Sequence, residues 1–213
     1  IAALGAEVRI IGKSQDDAEI EADRLAEEEG LISVHPFDDA HVIAGQGTIG
    51  LELLEDLGQV DTFVCPLSGG GLMGGVALAL KSANPAVRIV GVCMDKGAAM
   101  VESVRAGQPV PVVEYESLAD SLGGGIGMRN QYTLRLISDL VDDYILLSEA
   151  DIASSMHHAL MHEGFIAEGG GSVAMGAIAL GRIPDLEGNV AVIVSGRNIA
   201  PDKFLDVIGK AVP

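Results

Sequence analysis

The 213-residue chain carries 13 Lys plus Arg against 31 Asp plus Glu, a formal charge of −18, which weighs against nucleic acid or an anionic membrane surface as a partner. With 48% of its residues apolar, it has enough hydrophobic material for one large domain, or for one domain and part of another. No apolar run reaches membrane-spanning length, and no secretory signal is expected.

The chain opens on Ile1 rather than Met, inside what already reads as folded sequence, so a preceding N-terminal portion is expected. Residues 6–11 alternate as a strand does, Glu7 and Arg9 against Val8 and Ile10. Ser14 with Asp17 three positions on reads as a capping box, opening a helix that Gly30 stops after Glu29. A short strand over 32–34 and a polar turn over 35–39 follow, then a helix from Val42 to Leu57. Residues 60–66 are an apolar, β-branched run ending at Pro66. Ser68, Gly69, Gly70 and Gly71 come next, and a helix-like run occupies 72–83. Residues 88–93 form another apolar strand, so a parallel, right-handed βαβ unit is predicted. Cys65 and Cys93 each fall in one of these strands. Buried free thiols in a reducing, cytoplasmic setting are therefore expected rather than a disulfide.

Further on, 97–106 is predicted helical and 110–113 extended. A second glycine cluster, 123–127, follows Asp120 and Ser121 without an apolar strand before it, and reads as a flexible active-site loop. A helix over 131–141, a strand over 144–147, and a helix opened by Ser148 and Asp151 come next. Gly169, Gly170, Gly171 and Ser172 lead into a small-residue helix, 173–180. The continuous apolar run 190–194 predicts a strand covered on both faces. It ends at Ser195-Gly196-Arg197-Asn198, and a closing helix occupies 201–207.

The strand, glycine turn and helix start at 60–72 carry the most chemistry. Glycine reaches backbone angles that other residues avoid, and lets a ligand approach the main chain. The helix start offers free N–H groups and the positive end of a dipole, so a phosphate dianion is its natural guest. The plain alternative is a tight βα turn with no ligand. Gly69, Gly71 and Gly74 also satisfy G-x-G-x-x-G, with Asp95 placed as a ribose-binding acid would be, which keeps an NAD(P)-binding oxidoreductase open. Against it, residues 66–68 space the glycines from the strand, and the 195–198 motif has no role in that scheme. No Lys-Ser or Lys-Thr follows the glycines, so a P-loop is excluded. His158 and His162 share a helix face, but Glu163 points elsewhere in this reading and surface histidines are preferred to a metal site. All five lysines, Lys13, Lys81, Lys96, Lys203 and Lys210, look solvated.

Taken together, residues 42–48, 66–72, 168–171 and 195–198 fall in the order and spacing of the threonine/serine dehydratases, which belong to the tryptophan-synthase-β-like, fold type II pyridoxal-phosphate enzymes. The resemblance spans the whole chain. Within that family, 96–100, 119–127 and 195–199 look most like the hydroxyectoine-utilisation dehydratases. The resemblance implies an α/β fold with a mostly parallel twisted sheet and helices on both faces. Residues 1–45 would be the remainder of a small domain and 46–213 most of the large, cofactor-binding one. It implies pyridoxal 5'-phosphate with Ser68, Gly69, Gly70, Gly71 and Leu72 around the phosphate. Ser195 would meet the pyridine nitrogen, and Glu168 would lie near the ring, although Gly169 stands where Pro is common. Asp120 and Ser121 match a loop beside the cofactor, Ser121 standing where glycine is common.

The implied activity is loss of water from a β-hydroxy amino acid, threonine, serine or one derived from hydroxyectoine, giving a 2-oxo acid and ammonia. The implied assembly is a homo-oligomer, a dimer or tetramer. The family's divalent-cation site looks absent, since Cys93, Ala98 and Ala99 occupy its places, so no metal is expected. The Schiff-base lysine and the asparagine loop of the family lie outside these residues. A catalytically inactive fragment therefore also remains open.

Overall fold

The computed structural model describes residues 1–210; the last three positions of the expected 46–213 domain lie outside the described residues. Four parallel strands, β1 (Thr62–Pro66), β2 (Arg88–Met94), β3 (Asp143–Leu147) and β4 (Val190–Val192), form one sheet in the spatial order β3-β2-β1-β4. The helices are α1 (Gln15–Glu29), α2 (Ala40–Leu57), α3 (Gly71–Ala83), α4 (Ala99–Ala106), α5 (Thr133–Leu140), α6 (Glu149–Met161), α7 (Gly169–Ala179) and α8 (Pro201–Lys210). α3 and α7 lie on the sheet, α2 and α5 back α3, and α6 backs α7. The α/β class, the parallel sheet and the helices on both faces are those the sequence predicts.

β1 is apolar from end to end because it is central and covered on both faces; Phe63, Val64 and Cys65 are fully buried. Each large side chain so buried contributes about 1.5–3 kcal/mol over an exposed one. Both cysteines are buried free thiols. Burial raises both pKa values, Cys93 to about 12, so neither is a thiolate at neutral pH.

The helix starts follow the polar signals. Ser14 accepts the Asp17 N–H and Ser148 accepts the Asp151 N–H, each within a complete capping box, and Gly30 ends α1 at φ 66°. Asp39 caps α2 by accepting the N–H groups of His41 and Val42.

Four expectations are corrected. Residues 6–11 and 32–34 form no strand, because no described segment pairs with them; Ile10 is 88% exposed and Ile32 92%. Alternation predicts a pleat, but a pleat exists only beside a partner. β4 is an edge strand, with Val192 exposed, rather than a doubly covered one. The glycines at 169–171 lie inside α7 instead of before it. Lys81 is not free in solvent: its ammonium bonds both Asp142 oxygens at 2.9 Å.

α2 and α3 cross at backbone contact. A Cβ at Gly75 would collide with the Ile43 carbonyl and lie 2.8 Å from the Gly47 nitrogen, whereas one at Gly45 would meet nothing within 4 Å. Gly75→Ala is therefore expected to destabilise by about 1–3 kcal/mol through overpacking. Gly45→Ala, in the same pair of helices, is expected to stabilise by up to about 1 kcal/mol through helix propensity. Urea denaturation of the two variants separates these effects. A second expectation concerns pH. The Asp151 pKa is depressed, first by its bond to Arg182 and then by Ser148. A depressed folded-state pKa gives stability that is present above the unfolded value, near about 4. That stability is lost as pH falls through the lower folded value. Asp151→Asn should thus lose stability at pH 7 and converge on the parent protein near pH 2, as read by denaturation midpoints across that range.

Candidate active site

The chain steps from β1 to β2 and β3 on one side, then returns to β4 on the other side of β1. The strand order therefore reverses between β1 and β4, and in open α/β sheets a ligand crevice forms beyond the carboxyl ends of the strands at such a reversal. Val64 pairs with Val192, and the Ile193 N–H donates to the Val64 carbonyl at 3.0 Å. Past the ends of both strands, continuing that register brings Ser195 level with Leu67, one position from Ser68. Topology alone thus brings the glycine turn and the 195–198 motif to one place.

A cavity of about 530 Å³ lies there, lined by residues that include Ser68, Gly69, Gly70, Gly71, Leu72 and Met73. Ser121, Glu168, Ser195 and Gly196 line it too. Its size falls within the usual range for small-molecule sites, about 300–1,000 Å³. At one end is the turn after β1. Gly70 has φ 90°, and its Cβ would meet Met100, Ile137 and Thr133 at 2.9–3.1 Å. Only glycine satisfies both conditions. The first N–H groups of α3 have no intrahelical partner, and the positive end of the helix points the same way. Ser68 Oγ donates to the Leu122 carbonyl at 3.1 Å, tying the turn to the 120–122 segment. Among the described residues, no lysine or arginine lines the cavity. The residues fit a phosphate held by backbone N–H groups: a turn kept bare of side chains, a helix start, and no carboxylate on the turn itself.

The other end is built by α7 and the segment after β4. The three glycines of the first turn of α7 are a contact surface. A Cβ at Gly169 would strike the Leu118 carbonyl, one at Gly170 the Ser121 hydroxyl, and one at Gly171 the Gly196 carbonyl. The Glu168 N–H donates to the Gly196 carbonyl at 3.0 Å, and its Oε2 accepts the Asn198 N–H at 3.0 Å. Glu168 is thus held at the start of α7 and grips both sides of Arg197. Ser195 is exposed at the mouth of the cavity. A larger apolar groove, about 940 Å³, shares Ser195 and Gly196 with it and runs between Leu160, Phe165 and Phe204.

Other expected residues lie elsewhere. Asp120 lines an adjoining cavity with Glu149 and Lys203 rather than the glycine one. The second glycine cluster is packed, not free: Cβ atoms on Gly124, Gly125 and Gly127 would run into Gln15, Asp16 and Glu19 of α1. Asp95, the acid of the dinucleotide reading, is exposed beyond β2, where its N–H donates to the Leu147 carbonyl at 2.9 Å. The cavity opens from β1 toward β4, away from Asp95, so the dinucleotide reading has no site. His158 and His162 stack with ring centroids 4.6 Å apart, and Glu163, expected to point away, lies 3.5 Å from His158. No group of three or more potential metal ligands gathers among the described residues. Lining residues outside the quoted motifs include Gln15, Pro36 and Phe37. Phe37 gives no local signal, because its place is set by contacts across the fold.

Residues 1–196 match the family described as pyridoxal-phosphate dependent enzyme. A Sinorhizobium fredii protein carrying a provisional threonine dehydratase name is 51% identical over 209 residues, 98% of this chain and 63% of the relative. The L-threonine ammonia-lyase of Thermotoga maritima is 39% identical over 210 residues, 98% of this chain and 51% of that protein. The chain thus spans between half and two thirds of the length of these relatives. Among solved structures, processed threonine deaminase isoform 2 of Solanum lycopersicum superposes with a TM-score of 0.83 at 31% identity, over 98% of this chain and 61% of that one. The chain belongs to the pyridoxal-phosphate dependent enzyme family.

Proposed function

We propose that the protein of which this chain is part is a pyridoxal 5'-phosphate lyase acting on a β-hydroxy amino acid. The observation that carries the reading is the meeting of the glycine turn and Ser195 in one cavity at the sheet's reversal point. In this reading Ser68, Gly69, Gly70, Gly71 and Leu72 hold the phosphate through backbone N–H groups and the dipole of α3. Ser195 bonds the pyridine nitrogen. A neutral hydroxyl does not hold that nitrogen protonated as a carboxylate does, which favours elimination over transamination. Glu168 fixes the loop that carries Ser195, through Asn198 and Gly196. Ser121, wedged against α7 where a side chain on Gly170 would stand, narrows the substrate end, and Asp120 sits behind it.

The cofactor, when bound, supplies the electron sink for bond breaking at the amino acid's α-carbon. The overall reaction removes the α-proton and the β-hydroxyl as water. Hydrolysis of the resulting enamine returns one water and yields a 2-oxo acid and ammonia. The proton-transferring base and the Schiff-base lysine belong to parts of the protein outside these residues. Residues 1–45 are read as the remainder of a small domain and 46–213 as the large one. The assembly is read as a homo-oligomer, and a reducing, cytoplasmic setting fits the two buried free thiols. For substrate, the names of the relatives favour threonine, and residues 96–100 and 119–127 favour a hydroxy amino acid derived from hydroxyectoine.

Full-length protein should gain a visible absorbance band on addition of pyridoxal 5'-phosphate and release ammonia from one of these hydroxy amino acids. Protein that stays colourless and releases none ends the reading. Comparing kcat/KM for threonine, serine and the hydroxyectoine-derived acid decides the substrate. Ser195→Ala should lower kcat/KM by up to about tenfold, the scale of one neutral hydrogen bond. Gly171→Ala should do at least as much without touching the ligand, because it pushes Gly196 and hence Ser195 out of register; the same assay reads it.

A further inference from the structure

The 35–39 turn has no part in the reaction above, yet it is wired in three directions. His35 Nδ1 accepts the Asp38 N–H at 2.8 Å and the Phe37 N–H at 3.3 Å. Asp39 caps α2. Asp38 reaches the far side of the site instead. Its carboxylate accepts the backbone N–H groups of Gln131 at 2.6 Å, Tyr132 at 2.9 Å and Thr133 at 2.8 Å, at the start of α5. An acid at a helix N-terminus with three charge-assisted bonds is a strong tie between distant segments.

That tie closes around the glycine turn. Phe37 presses on one side: a Cβ at Gly69 would fall within its ring, and one at Gly71 would meet its carbonyl oxygen at 2.8 Å and its Cα at 2.9 Å. α5 presses on the other. A Cβ at Gly70 would meet Thr133 at 3.1 Å and Ile137 at 3.0 Å, and one at Gly74 would meet Leu136 at 3.3 Å. The turn lies between two jaws, Phe37 and the first turns of α5, and Asp38 joins one jaw to the other.

We propose that Asp38 is a positioning residue that fixes the backbone of the 68–72 turn by clamping Phe37 against it from the α5 side. The ligand that gains from this, a phosphate-bearing cofactor, rests on the function proposed above; the pinning of the turn does not. An asparagine at 38 keeps one acceptor oxygen and loses the charge, and an alanine keeps neither.

The test uses the full-length protein with Asp38→Ala, Asp38→Asn and Phe37→Ala. Amide hydrogen exchange over residues 68–72 is followed beside that of β2, and affinities are measured for pyridoxal 5'-phosphate and for pyridoxal, which lacks the phosphate. Asp38→Ala should speed exchange in the turn by about tenfold or more, leave β2 unchanged, and weaken the phosphorylated ligand about tenfold, the scale of a lost charge-assisted bond. Pyridoxal should bind as before. Asp38→Asn should fall between. Phe37→Ala should loosen the turn alike while the three Asp38 bonds persist, which covers the case of an alanine variant that does not fold. Unchanged exchange in the turn, equal loss across β2, or equal weakening of both ligands would overturn the clamp. If the turn loosens as stated while unsubstituted protein shows no preference for the phosphorylated ligand, the clamp stands and the function proposed above falls.

Discussion

The Gly196 carbonyl occupies the place a Cβ on Gly171 would take, the Ile43 carbonyl that of one on Gly75, and the Phe37 ring that of one on Gly69. At each point two segments meet at main-chain distance, and each point touches the crevice or the helices that frame it. Side chains set the bulk of the core here, as in any domain, but the site is set by where side chains are missing. Close packing makes such contacts rigid, since even one added methyl has nowhere to go. The consequence is a crevice in which the glycine turn presents main-chain groups in fixed directions.

The reversal of strand order explains why that crevice exists at all. β1 and β4 are neighbours in the sheet though 124 positions separate Pro66 from Val190. The loops after them point outward from a common edge, and α3 and α7 start there from opposite faces. Two helix N-termini thus face one space. One is left bare, with glycines before it; the other carries Glu168, which bonds the main chain of Asn198 rather than any cation. In the function proposed above the asymmetry has a use: the anion takes the bare end, and the opposite end is already filled by the Glu168 carboxylate.

Much of this was legible in the residues. Phe63, Val64 and Cys65 read as a core strand because the burial they need leaves no polar position among them. Ser14, Ser148 and Gly30 marked helix ends because capping is a local matter of one side chain and the next few N–H groups. The segments that failed were those whose state is decided elsewhere. Ile10 and Ile32 alternate properly and pair with nothing described. Val192 looks as apolar as Val64 yet sits on an edge. Gly169 to Gly171 read as the lead-in to a helix, yet they form its first turn, where Leu118, Ser121 and Gly196 press against α7. The family resemblance pointed at Ser195 and Glu168, but Asp38 and the three N–H groups it accepts lie 93–95 positions apart in the chain, and Phe37 is placed beside them. No pattern in one sequence encodes such a pairing.

A net charge of −18 and an anionic guest seem opposed, and the distances resolve the conflict. At physiological ionic strength the Debye length is about 8 Å, so the many exposed carboxylates act weakly on a charge held in the crevice. N–H groups within bonding distance act at full strength, and the dipole of α3 adds roughly half a charge at the same point. In the function proposed above, main-chain N–H groups can therefore seat the phosphate without a lysine or arginine, and among the described residues none lines the cavity. A site built from cations would have been free to sit on any surface loop. One built from main-chain N–H groups has to be where helix start, strand end and bare turn coincide, and in this fold that is the junction of β1 and β4.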